Sequence, residues 1–348
     1  MHDKLVPDME VLIEGQKLDQ NIMDKIISVK IDYNLEKIDM FIISFNDSSF
    51  KIQNSKLFEV GKNIIIKLGY SRKFTKMIEG EVVQMDFTYE TSSPIVFSII
   101  GFDKMFRLSR TKHSRSFLKM KDSEIASKIA SEMGLQTQID STSQRFEYLF
   151  QNNQSNLNFL KQRARRINYE IEVEDNTLVF QKARHEKRKK TVTLRWENNL
   201  ISFRPKIDAT KIVDEVQVKG WNYKTKELIK GVARTGDEVQ SIRGKLGSSS
   251  VKGKFKNTSF KNYQTNIPIA SQEEADNFAN SKLNKLNMGY LTGYGIAIGE
   301  VKIRAGHLIE IEGVGKMLEG EYYITACEHS FSTRGYKVFF DVQRNIEK

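Results

Sequence analysis

Hydrophobic and polar residues alternate through the first third of the chain. In IISVKID (26–32), Ile27, Val29 and Ile31 alternate with Ser28, Lys30 and Asp32. In VVQMDFTYE (82–90), Val83, Met85, Phe87 and Tyr89 alternate with Gln84, Asp86, Thr88 and Glu90. Period two with one wet face predicts half-buried strands. Further strands are predicted at 39–45, 63–70 and 94–102, separated by the turn signals NDSS, EVGKN, YSRK and ETSSP. Strands at this spacing predict a closed or nearly closed first β-barrel over 1–105.

The period changes across 106–181. KDSEIASKIASEMGL predicts a helix near 122–133, with Asp122 as cap, Glu124 in its first turn, an Ile125, Ile129 and Met133 stripe, and Gly134 as its end. A second helix is predicted near 156–167, capped by Ser155, with Leu157, Leu160, Ala164 and Ile167 on one face. Lys161, Arg163, Arg165 and Arg166 then fall on the other faces. NYEIEVEDNTLVFQK reads as a hairpin over 169–181 turning at Asp175-Asn176. Together these make a helix-and-hairpin insert module. Its acids Glu170, Glu172, Glu174 and Asp175 follow the helix cations closely, and pairing within the module is the predicted fate of that charge.

Strand patterns return from about 191 to the end and predict a second β-barrel over 182–348. A helix at 272–287 is opened by the box Ser271-Gln272-Glu273-Glu274, with Ala275, Phe278, Leu283 and Leu286 on its buried side. Gly306, Gly313, Gly315, Gly320 and Gly335 punctuate the final strands. The fold class is therefore mainly β with an α+β insert: two similar β-barrel domains plus the helix-and-hairpin module, with discontinuous domain boundaries left open.

Composition narrows the classes. At 348 residues, with 39% hydrophobic and 28% charged side chains, the chain reads as a soluble globular protein of two or three domains. Its single cysteine, Cys327, excludes an intrachain disulfide. No apolar run reaches the ~18 residues of a membrane span. The N-terminus lacks a basic stretch followed by an apolar one, so synthesis and folding are expected in the cytoplasm.

Charge is concentrated. Residues 182–190 carry six Lys/Arg and one Glu, and residues 241–262 carry six Lys/Arg and no acid. These two segments equal the whole net charge of +11, so the rest is neutral. Both read as loops, the second Gly/Ser-rich and mobile. A nucleic-acid binder more often builds its basic face on regular elements. Solvated loops, an acidic protein partner and nucleic acid are the readings, in that order.

Candidate chemistry is sparse. His2, His113, His185, His307 and His329 show no metal-ligand spacing. Cys327 and His329, two apart on a predicted strand, share a face and form a conceivable nucleophile–base pair without an orienting acid. GVGKMLEG lacks the spacing of a phosphate loop. Glu170, Glu172 and Glu174 line one strand face, read as a solvated edge before a cation site. Trp196 and Trp221 read as core or interface anchors. No catalytic, cofactor-binding or metal-binding residue is assigned, and the chain is read as not an enzyme.

Three stretches carry a family resemblance: SFLKMKDSEIASKIASEMGL, then FEYLFQNNQSNLNFLKQRARRINYEIEVEDNTLVF, then AGHLIEIEGVGKMLEGEYYITACEHSFSTRGYKVFFDVQRN. Their order resembles the tail-hub proteins of contractile injection machines: the phage late control gene D family, the central baseplate hub of contractile phages, and the N-terminal half of VgrG. The middle stretch matches through Gln151, Ser155, Phe159, Leu160, Arg163 and Ala164, and departs at Asn168, where Gly is common. The last matches through His329, Arg344 and Asn345. The resemblance implies a homotrimer whose two barrels per subunit adapt a sixfold inner tube to a threefold spike. It implies as partners a hexameric inner tube protein, other baseplate proteins, and a spike on a separate polypeptide, since the sequence stops shortly after Asn345. It also implies residence in a phage tail, tailocin or related injection particle. Two rivals remain: a nucleic-acid-binding protein using the basic loops, and a tail-associated cell-wall hydrolase.

Overall fold

The structure, a computed structural model, describes residues 6–183, 190–222, 225–239, 244–255, 258–265 and 267–347. The first region runs β1 (Pro7–Ile13), β2 (Gln16–Lys17), α1 (Gln20–Met23), β3 (Ile26–Asn34), β4 (Met40–Asn46), α2 (Lys51–Asn54), β5 (Asn63–Tyr70), β6 (Lys73–Thr88) and β7 (Val96–Phe102). Alternation places Val29, Ile31 and Tyr33 of β3, Phe41, Ile43 and Phe45 of β4, and Ile64, Ile66 and Leu68 of β5 inside. Each such side chain contributes about 1.5–3 kcal/mol by leaving water. β6 departs from the predicted phase. A register shift between Val82 and Gln84 turns Val82 inward. Phe87 and Tyr89 are left 46% and 58% exposed. Beyond the bulge the predicted phase returns, and Met85 packs against the core.

The insert comprises α3 (Met105–Arg110), β8 (Lys112–Lys121), α4 (Asp122–Glu132), β9 (Gln136–Ile139), β10 (Arg145–Ser155), α5 (Asn156–Arg166), β11 (Tyr169–Glu174) and β12 (Thr177–Lys182). β8 and β10 form a two-stranded ribbon, and β11 and β12 the predicted hairpin, with β9 added parallel to β12. The insert has its own core, in which Ile125, Ile129, Leu157, Leu160, Ala164 and Phe180 meet. Ser155 Oγ accepts from Asn158 N at 3.2 Å, and Gly134 (φ +70°) ends the α4 segment. Asp122 is not the α4 cap. It is the first helical residue, and the Glu124 carboxylate accepts from Lys121 N instead.

The last region runs β13 (Lys190–Arg195), β14 (Leu200–Ile207), β15 (Glu215–Asn222), β16 (Glu227–Arg234), β17 (Lys245–Leu246), α6 (Gly247–Lys254), β18 (Lys261–Gln264), α7 (Gln272–Asn287), β19 (Leu291–Ile298), β20 (Leu308–Glu312), β21 (Gly320–Ser332), β22 (Gly335–Arg344) and β23 (Ile346–Glu347).

The protein is mainly β with a helical insert, but the barrels differ from expectation. A single sheet runs β14-β19-β22-β21-β3-β4-β7-β6-β5-β1-β2, with β20 on β21 and β13 on β20. β21 pairs with β3 from Ala326↔Asn34 to Ser332↔Ser28, so the first and last regions share one ladder and one core. Among the described residues no ladder closes either half into a barrel. Nor do all later strands join the main sheet. β15, β16 and β18 form a separate sheet on α7, burying Val216, Val218, Ala233, Ala275, Ala279 and Leu283.

The basic run 241–262 is also not a featureless loop in its described part. Residues 247–254 form α6, and Leu246 pairs with Ile346. Its glycine and serines serve packing. A Cβ on Gly247 would meet the Tyr290 ring at 2.2 Å, and the Ser248 and Ser250 hydroxyls donate to Glu238 and Glu347.

Candidate functional site

The cations of α5 are the densest chemistry in the fold, and most of them are buried. Lys161, Arg163 and Arg166 are 8%, 5% and 7% exposed, which reverses the predicted outward orientation. Arg163 donates from Nε to Asp122 Oδ1 at 2.6 Å and from Nη2 to Oδ2 at 3.1 Å, a two-pronged contact with α4. Arg166 Nη2 reaches Glu274 Oε1 at 2.8 Å and the Pro268 carbonyl at 2.6 Å. Glu274 lies on α7, and its other oxygen accepts from Ala270 N at 2.9 Å. Phe146 stacks beneath Arg163 at 4.4 Å, and Phe278 beneath Arg166 at 5.3 Å. Burial lowers the Arg166 pKa, and Glu274 opposes that shift.

The same helix reaches the first region. Lys161 Nζ donates to the carbonyls of Glu36 and Lys37 at 3.0 and 3.3 Å, in the β3–β4 turn. Burial lowers its pKa as well. Arg165, the exposed member, pairs with the Glu36 carboxylate, which also takes Lys285 at 3.0 Å. Ser281 of α7 donates to the Arg165 carbonyl and accepts from Asn168 N. Asn168 holds φ +56°, so it adopts the left-handed turn that Gly would take. α5 thus joins three parts of the chain through partners distant in sequence. Two of the acids expected to absorb its charge have partners elsewhere: Asp175 bonds Lys76, and Glu170 accepts from Tyr323.

Cys327 and His329 do share a face, with Sγ 4.0 Å from Nε2. Both are buried, and neither is set for nucleophilic chemistry. Burial raises the thiol pKa. It also lowers the imidazole pKa to about 3. Nε2 lies 2.7 Å from the Ile303 carbonyl and Nδ1 lies 2.7 Å from the Tyr336 hydroxyl. A neutral ring donating at Nε2 and accepting at Nδ1 satisfies both. GVGKMLEG forms the β20–β21 turn, with Gly313, Gly315 and Gly320 at positive φ and a strand following.

Trp196 and Trp221 are 44% and 48% exposed and so are not core residues. Glu170 and Glu172 are half-buried, lining a cavity of about 220 Å³ with Asp39, Asp103 and Arg304. Among the described residues no three His, Cys, Asp or Glu side chains converge as metal ligands. His2, His185, residues 184–189 of the first basic run and residues 241–243 and 256–257 of the second lie outside the described residues. The Arg344-Asn345 pair of the family resemblance has a packing role. The Arg344 guanidinium donates to the Glu319 and Met317 carbonyls over the Tyr322 ring, and Asn345 Nδ2 donates to the Val239 carbonyl.

The sequence model of the Alg8 N-terminal domain matches residues 3–333. The chain belongs to the Alg8 N-terminal domain family. No curated protein sequence matches it. Solved structures extend the likeness to the fold of this family member. The 43 kDa tail protein of prophage MuSo2 from Shewanella oneidensis is 14% identical, with 97% of this chain and 98% of that one covered and a TM-score of 0.72. The tail protein from Neisseria meningitidis MC58 is 12% identical over 98% and 97%, with a TM-score of 0.73. The E. coli c3393 protein, a component of the type VI secretion system, is 9% identical over 96% and 76%, with a TM-score of 0.59. The mainly β architecture with its insert is therefore shared, over nearly all of this chain, with two tail proteins and a secretion-system component. The matching family model is not that of the late control gene D or VgrG proteins named by the resemblance.

Proposed function

We propose that the chain is a non-enzymatic structural subunit of a tail baseplate, acting as the hub of a contractile injection particle. The observation that carries this reading is the full-length likeness to two tail proteins, one of them from a prophage, with nearly all of both chains covered. In this reading three copies form a ring in which each subunit places two comparable β units. The units are the β1–β7 half and the half built from β13, β14 and β19–β22. Their joining through β3 and β21 fixes them at one relative orientation, as a quasi-sixfold adaptor requires. The partners are a central spike, a hexameric inner tube protein and other baseplate proteins. Exposed Trp196, Trp221, Leu228 and Tyr263 are the anchors such contacts would use.

The neutral, enclosed Cys327–His329 pair supports a structural role over hydrolysis, and the buried α5 cations support it over phosphate binding. The test is sedimentation of the purified chain, followed by electron microscopy of the main species. A particle of three times the 40.2 kDa chain mass with threefold symmetry is expected. A monomer that stays monomeric at high concentration and with a co-expressed spike would remove the hub reading.

A further inference from the structure

At the joint between the main sheet and the insert, two carboxyl groups oppose each other. Met40 of β4 pairs with Phe102 of β7. The next residues, Asp39 and Asp103, therefore meet at the end of that ladder, where Asp103 N donates to the Asp39 carbonyl at 3.1 Å. Like charges directly opposite destabilise a ladder. Asp103 is buried, with Oδ1 accepting from Met105 N at 3.0 Å and Oδ2 without a hydrogen-bond partner among the described residues. Asp39 Oδ1 accepts from Asn34 N at 3.0 Å, which ties the base of the β3–β4 turn. Both residues line the cavity of about 220 Å³ already described.

The cations that face this pair make their hydrogen bonds elsewhere among the described residues. Lys161 from α5 and Arg304 from the β19–β20 connection face it, but the Lys161 ammonium is held by the Glu36 and Lys37 carbonyls. Arg304 Nη2 donates to the Lys76 carbonyl. Lys76 itself is taken by Glu79 and Asp175. Asp32 of β3 faces Asp39, and Glu172 of β11 faces Asp103. Glu170 and Glu174 line the same cavity, and Tyr33 adds a buried phenol. Burial raises the Asp39 pKa to about 7, with Asn34 N, Arg304 and Lys161 pulling the other way. Burial and the Asp39 charge place Asp103 well above the ordinary carboxylate range.

What this pair controls follows from the turn it anchors. Residues 34–39 present the Glu36 and Lys37 carbonyls to Lys161, and the Glu36 carboxylate to Arg165 and Lys285. That turn is how the first region grips α5. We propose that the Asp39–Asp103 pair is a proton-operated latch on the joint between the main sheet and the insert. It is closed while at least one of the two carboxyls is protonated and loosened when both are ionised. This device does not depend on the tail-hub reading.

Both groups have raised pKa values in the fold. The stability they confer is complete below the ordinary carboxylate range and is lost as pH rises through neutrality. Amide hydrogen exchange, read as protection factors for residues 34–39 and α5 between pH 4 and 8, tests the latch. In the natural chain protection should fall as pH rises from the ordinary carboxylate range through about 7, by up to about tenfold per pH unit for one linked proton. Asp103→Asn, whose amide oxygen keeps the bond from Met105 N, should flatten that fall. The double variant D39N/D103N should flatten it as well and provides a second reading if the single variant folds poorly. Protection that is level with pH in the natural chain, or an equal fall in the natural chain and the variants, would overturn the latch.

Discussion

Removal of the Glu274 carboxylate tests whether α5 is a structural clamp. In Glu274→Ala, Arg166 keeps the Pro268 carbonyl and the Phe278 ring but no anion among the partners described above, Arg163 loses its contact at 3.8 Å, and Ala270 N loses its acceptor. Both guanidiniums are more than nine-tenths buried, so water cannot replace the lost anion without the interface opening. Breaking a buried pair from one side costs about 3–5 kcal/mol, since a charge is left uncompensated in a poorly polarisable site. With a urea dependence of about 3 kcal/mol per molar, the unfolding midpoint should drop by roughly 1–1.7 M. Arg165→Ala provides the contrast. Its guanidinium is half exposed on Glu36, and such pairs are worth about 0–1 kcal/mol. Adding Arg166→Met to Glu274→Ala should recover part of the loss, because the stranded charge goes with it. Urea unfolding followed by far-ultraviolet circular dichroism measures all four proteins. A Glu274→Ala midpoint within 0.2 M of the natural chain, or an equal loss in Arg165→Ala, would refute the clamp.

Other outcomes follow from single contacts. Gly247→Ala should destabilise by about 1–3 kcal/mol, since its Cβ would meet the Tyr290 ring. Gly253→Ala in the same helix, with nothing within 4 Å, should stabilise by about 0.5–1 kcal/mol, and calorimetry of the two variants reads the contrast. Cys327 should resist a thiol-specific chromogenic reagent in the native protein and react fully in denaturant; fast native labelling would contradict its enclosure. His329 has a lowered pKa, so its contribution is intact above pH 6.5 and lost as pH falls toward about 3. In that window its share of the stability slope is about 1.4 kcal/mol per pH unit. His329→Asn should remove that slope in chemical unfolding between pH 4 and 6.

Much of the fold was legible because it rests on local pattern. The β5 strand (Asn63–Tyr70), the α7 helix (Gln272–Asn287) and the Asp175-Asn176 turn stand where period, cap and turn chemistry put them. What alternation cannot encode is which strand lies beside which. The β3–β21 ladder joins residues about 300 apart, and it turns two expected barrels into one shared sheet. At β6 the bulge between Val82 and Gln84, which turns Val82 inward in place of Val83, depends on pairing with β7 rather than on anything within VVQMDFTYE. The run 247–254 misled for a different reason. Glycine and serine there meet Tyr290, Glu238 and Glu347, and small residues chosen for contact resemble small residues chosen for freedom.

The charge of α5 was the hardest feature to read. Adjacency in sequence favoured Glu170–Asp175 as partners, because an ion pair close in sequence needs little loop closure. The actual partners Asp122, Glu36 and Glu274 lie 41, 129 and 108 residues from their cations. Each anion belongs to a different part of the chain: α4 of the insert, the turn before β4, and α7. Apolar contacts alone would let these surfaces slide, since hydrophobic attraction has no direction. A two-pronged arginine contact fixes distance and angle together. One helix that addresses a separate anion in each neighbour therefore sets the relative placement of the insert, the main sheet and the β15–β16–β18 layer. Placement matters most if copies of the chain must fit one another around a ring, where an error in one subunit is repeated in all. Arg163, Arg166 and Lys161 would then be retained for geometry, at a cost in desolvation that an enclosed site makes large.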